Sequence, residues 1–160
     1  GKLLSPDKFT NPSAKKYSDR IISYNNANAF LIVPESETFH GNPILVTQKD
    51  ITSLQLAKGA ISAGIKMLIK NLGINLDDIK EVLLAGAFGN YMDPHSACEI
   101  GLIPKELGSK IKLVGNAAGK LALLSESEFK RANRIASKVT YVELGAQEHF
   151  NLEFARGMQF

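Results

Sequence analysis

Two stretches of the chain end an apolar run in a glycine and open a helix soon after. The first is VLLAGAFGNYMD, Val82 to Asp93, and the second is KLVGNAAGKL, Lys112 to Leu121. In open α/β sheets, ligands bind beyond the C-terminal ends of strands. Glycine there removes the Cβ that would block a ligand, and the N–H groups of the following turn can hold a phosphate or a base edge. Each stretch also has a plain structural reading, because a strand-to-helix turn often needs a residue with positive φ. Neither is a Walker loop, since G-x-x-x-x-G-K-[ST] is missing, and Gly86 to Gly89 lacks the G-x-G-x-x-G of a dinucleotide fingerprint.

Other chemistry-bearing residues are scattered. Asp93 stands before Pro94 and reads as a helix N-cap rather than a catalytic acid. His40, His95 and His149 have no metal-ligand spacing. Cys98 lies within a helical stretch beside Ala97 and reads as packing. A single cysteine makes no internal disulfide and completes no cysteine-ligated cluster.

The 160 residues are 44% hydrophobic and 22% charged, with a net charge of +3 and a pI near 9.0. That suffices for one core or two small lobes. The basic residues are dispersed, which speaks against a nucleic-acid stripe. No stretch reaches the ~20 apolar residues of a membrane helix, and a reducing cytoplasm is the expected setting.

The elements that must position these loops read as an α/β pattern. Residues 1–28 are polar and irregular, with a short strand at Arg20–Tyr24. Ala29–Val33 and Ile44–Val46 read as strands. Thr47 and Asp50 have capping-box spacing, and Leu54, Ala57, Ile61, Ile65, Leu68 and Leu72 form a core-facing helical stripe that Gly73 stops. Ala57, Gly59, Ala60, Ala63 and Gly64 would let another backbone approach this helix. Further on come a capped turn at Asn75–Lys80, a strand at Glu81–Ala85, a loop at Gly86–Asp93, and a helix to Gly101. A strand at Ile111–Val114 leads through Gly115–Gly119 into a helix to Leu124. Ser127 caps a helix to Ser137, Val139–Leu144 is a strand, and Gln147–Arg156 a final helix. The alternation predicts a mainly parallel sheet with flanking helices.

LLAGAFGNYMDPHSACEIGLIP (Leu83 to Pro104) resembles the adenosine motif of the actin/Hsp70/sugar-kinase superfamily. It is most similar to the branch that activates corrinoid iron–sulfur proteins and corrinoid methyltransferases. TQKDITSLQLAKGAI (Thr47 to Ile61), VGNAAGKLALLS (Val114 to Ser125) and YVEL (Tyr141 to Leu144) resemble the helix entry, second connecting segment and closing strand of that branch. The resemblance covers residues 44–160 and leaves residues 1–43 unmatched, as part of a preceding lobe or an inserted subdomain. It implies the second lobe of an actin-like, ribonuclease H-like ATPase domain.

It also implies ATP or ADP with Mg2+, contacted by Gly86, Ala87, Phe88, Gly89 and Asn90, by Gln55 and Lys58 on one face of the long helix, and at the hinge by Gly115, Asn116 and Ala117. A Gly-Gly pair common in the superfamily is Ala85–Gly86 here. The branch carries a [2Fe–2S] ferredoxin domain and delivers a low-potential electron to an inactive Co(II) corrinoid protein, so a corrinoid protein or methyltransferase component is the expected partner, and a homodimer the expected assembly. The ferredoxin cysteines and the aspartate-and-glycine phosphate loop are not in this sequence. By itself it is expected to be an inactive lobe of a two-lobed clamp. Two other readings stand beside this one: half of a sugar- or acetate-kinase-like phosphotransferase, and a non-enzymatic docking module.

Overall fold

The computed structural model describes residues 3–8, 10–121 and 123–160. Its contacts divide the chain into one unit of residues 1–57 with Gln159, and another of residues 58–158 with Phe160.

In the first unit a one-turn helix α1 (Pro12–Lys15) precedes strands β1 (Ile21–Tyr24), β2 (Ala27–Val33) and β3 (Ile44–Thr47). They form an antiparallel sheet in the order β1-β2-β3. Asn25 and Asn26, with φ of 50° and 61°, close the β1–β2 hairpin. Two adjacent left-handed residues are what a type I′ turn requires, and asparagine tolerates them. Ala29 is buried, and Tyr17 sets its ring edge-on to Phe30 at 6.2 Å.

Helix α2 (Gln48–Leu72) starts in this unit and ends in the other. Its cap is the expected one: the Asp50 carboxylate accepts from the Thr47 N–H and hydroxyl at 2.8 and 2.7 Å. Gly73, at φ +62°, ends it, and the Ile74 N–H returns to the Ile69 carbonyl.

The buried face of α2 differs from the expected stripe. Leu54, Leu68 and Leu72 are exposed, whereas Gly59, Ser62, Ala63, Gly64 and Met67 are buried. The reason is a close helix crossing in the second unit. A Cβ on Gly59 would stand 2.7 Å from Met158 Cγ and 3.0 Å from the Phe154 carbonyl oxygen; one on Gly157 would meet the Gly59 backbone at 3.1 Å. Small side chains outrank large ones where two backbones nearly touch.

The second unit continues with β4 (Val82–Ala85), α3 (Gly86–Tyr91), α4 (Pro94–Glu99), β5 (Ile111–Gly115), α5 (Ala117–Leu121), α6 (Glu126–Ala136) and α7 (Phe150–Gly157). Ala97, Cys98, Leu102, Ile103 and Leu107 form its core, with Ile61, Ile65, Val82 and Leu84 packed against them. Asp93 caps α4 as expected, accepting from the Ser96 N–H at 2.8 Å, with Pro94 in the first turn.

The chain is α/β, but its pairing is mixed. Parallel pairing among the described residues is confined to β4 and β5, each with no other strand at its outer edge. Ile44–Thr47 joins the antiparallel sheet instead, because a two-residue turn and a ten-residue link favour antiparallel return, while parallel strands need a long crossover.

Four local expectations fail. Gly86–Asp93 is largely a short helix rather than a loop. Ser125, not Ser127, caps α6, in a reciprocal box with Glu128. The last helix starts at Phe150, after a left-handed His149. Val139–Leu144 is not a strand: Val139 and Tyr141 are largely exposed, and β-branched residues without a neighbouring strand to pack on do not make a ladder.

Candidate functional site

β4 and β5 run in parallel and end side by side, with Ala85 opposite Gly115. A left-handed glycine stands at each end, Gly86 directly after β4 at φ +67° and Gly115 as the last residue of β5 at φ +63°. No heavy atom lies within 4 Å of where a Gly86 Cβ would be, so its face is open. α3 begins there, capped by no side chain, and its first-turn N–H groups lack a capping acceptor. Ala87 and Asn90 are exposed and Phe88 is 54% exposed, so the phenyl ring does not seal this turn onto the core.

Gly89 plays another part. A Cβ there would overlap the Leu84 carbonyl oxygen and approach the Gly115 nitrogen to 2.8 Å. Glycine at this position lets α3 press onto the ends of both strands, and it is buried. Asn90 Oδ1 lies 3.1 Å from the position of a Gly115 Cβ, so the Asn90 side chain of α3 sits beside the end of β5. Asn116 Oδ1 accepts the Gly119 N–H at 2.8 Å and so caps α5, while Ala117 is exposed in its first turn. Lys120 Nζ donates to the Val114 carbonyl at 3.1 Å. Gly86, Ala87, Phe88, Asn90, Gly115, Asn116 and Ala117 therefore cluster at one end of the parallel pair.

Lys58 has a different neighbourhood. It is 3% exposed, with its ammonium 4.7 Å from the Phe160 ring centroid and 3.6 Å from the Cβ position of Gly101. Burial holds its pKa below the ordinary lysine value, and the charge of Lys66 lowers it further. Gln55 is half-buried on α2 in the first unit.

Sequence reasoning passes over an ionic cluster between α2 and α7. Glu153 accepts from Arg156 at 2.7 Å and pairs with Lys66 at 3.4 Å; Arg156, and to a smaller extent Lys66, keep its carboxyl below the usual range. The i, i+3 spacing of Glu153 and Arg156 is the one local sign of it. Cys98 is buried, and burial raises its thiol pKa. Among the described residues no three His, Cys, Asp or Glu side chains converge to hold a metal.

Residues 4–160 match the family model described as the C-terminal domain of RACo, the ASKHA domain. The chain belongs to this family. The match takes in the N-terminal segment that the motifs leave unmatched. Among curated members the chain is 42% identical over 132 residues to the corrinoid activation enzyme RamQ of Eubacterium limosum, covering 81% of this chain and 22% of that protein. It is 32% identical over 124 residues to a [Co(II) methylated amine-specific corrinoid protein] reductase of Methanosarcina barkeri, covering 74% of this chain and 23% of that one. A solved reductive activator for corrinoid, iron–sulfur protein superposes with a TM-score of 0.80 at 30% identity, over 99% of this chain and 25% of its own. This RACo-type domain thus spans about a quarter of the relatives it matches.

Proposed function

We propose that this chain supplies the nucleotide-binding lobe of an ATP-dependent reductive activator, which delivers an electron from a [2Fe–2S] domain elsewhere in the protein to an inactive Co(II) corrinoid protein. The observation that carries the reading is the pair of parallel strands ending together at Gly86 and Gly115, with the uncapped start of α3 beside them. The open face of Gly86 admits a ribose or phosphate, and the N–H groups at the start of α3 suit an anion. Asn90, exposed beside Gly115, offers an amide to the ribose. Gly115, Asn116 and Ala117 are the hinge in this reading. Gly89 serves by packing.

Mg2+ accompanies the nucleotide, and ATP supplies the free energy for a change between lobe arrangements. It can do so only by binding one arrangement more tightly than the other. We further infer that β4 and β5 are part of a mainly parallel, ribonuclease H-like sheet. The ATPase lobe lies in residues 44–160, and residues 1–43 belong to a preceding lobe or inserted subdomain. The setting is cytoplasmic, the assembly a homodimer, and the lobe alone is catalytically inactive.

The test is an amide NMR titration with Mg-ADP, with Mg-GDP as control. Selective shifts at Gly86–Asn90 and Gly115–Ala117 with ADP support the reading. Shifts confined to other residues remove the site assignment.

A further inference from the structure

The second unit contains a pocket of about 460 Å³ between α2 and the segment from Gly101 to Glu106. That is the size range of small-molecule sites, and no residue of the glycine-ended strands lines it. Its floor is apolar, made by Ile69, Leu76 and Pro104. Its polar groups are few and of opposite sign. Lys70 and Glu106 both line it, yet neither side chain has a hydrogen-bond or ion-pair partner among the described residues, so they do not pair with each other. Lys66 is engaged by Glu153. Behind Gly101 lies the buried ammonium of Lys58.

We propose that this pocket binds a small zwitterion of the amino-acid class, with its carboxylate on Lys70, its ammonium on Glu106 and its aliphatic part on Ile69, Leu76 and Pro104. A simple anion meets repulsion from Glu106. A simple cation meets Lys70 and the Lys58 charge behind Gly101. A neutral apolar ligand desolvates two charges and pairs neither. A zwitterion satisfies both with charge-assisted hydrogen bonds.

Leucine, N-acetylleucine and leucinamide separate these cases in amide NMR titrations of the chain at about 10 mM. Leucine is expected to shift Ile69, Lys70, Gly101 and Glu106, with each blocked analogue about fivefold weaker. Glu106→Gln should bring N-acetylleucine level with leucine, and Lys70→Met should do the same for leucinamide. Both side chains are exposed, so neither change threatens folding. The proposal is overturned if leucine leaves those four amides unmoved, or if N-acetylleucine binds the unaltered chain as well as leucine does.

Discussion

Lys58 is a cation kept from water, and its titration should be visible in stability. Its folded pKa lies below its unfolded value of 10.5, for reasons of burial first and Lys66 second. The unfolded chain therefore holds more protons between the two values, and stability should rise with pH across that alkaline window. Lys58→Met is expected to flatten the rise, checked by urea unfolding at several alkaline pH values. Asp93 has the opposite sign. Its carboxyl is held below the usual range by the Ser96 hydroxyl and then the Ser96 N–H. That contribution is present above the unfolded carboxylate pKa and is lost as pH falls through the folded one. Asp93→Asn keeps a capping acceptor but should blunt this part of the acid dependence of Tm. Asp93 is legible in sequence because a cap is local. Lys58 is not: on a helical wheel it is one more polar residue, and only Gly101 and Phe160, over forty positions away, reveal its burial.

The same distinction holds for elements. α2 is readable at both ends, since Thr47–Asp50 and Gly73 act within one turn. Its buried face is not, because Gly157 and Met158 determine it from the far end of the sequence. Gly157→Ala would set a methyl against the Gly59 backbone, 3.1 Å away, where no side chain can yield. A loss of about 1–3 kcal/mol is expected from such overpacking, measured by chemical denaturation. Leu107, 2% exposed, tests the core beneath: Leu107→Ala should cost about 2–5 kcal/mol. The missed strand at Val139–Leu144 has the same root. Alternating β-formers express a tendency, and a neighbouring strand realises it.

At the scale of the molecule, the family is legible from a few uncommon strings, while the layout of the strands is not. AGAFGNYMD and VGNAAG each mark a strand end, and the structure places those ends side by side through a register that no single string encodes. The glycines in them divide by role. Gly86 is open and Gly89 is filled by the Leu84 carbonyl, a difference that spacing cannot show. Gly86→Ala puts a side chain on left-handed backbone at φ +67°, a strain of about 1–2 kcal/mol, and is expected to weaken Mg-ADP binding with amide changes centred on the start of α3. Gly89→Ala should disturb β4, α3 and β5 together, at the upper end of the ~1–3 kcal/mol overpacking range.

The β4–β5 pair also bears on how the chain behaves in a tube. A two-stranded ribbon leaves a row of N–H and C=O groups along each outer side, and here Leu83 and Leu113 stand more than 45% exposed nearby. Such a margin recruits whatever extended backbone arrives first, and in a concentrated stock that is another copy of the same strand. Light scattering of this chain should therefore grow with concentration and with time. A lysine in place of Leu83 should lengthen the lag before turbidity without altering the fold.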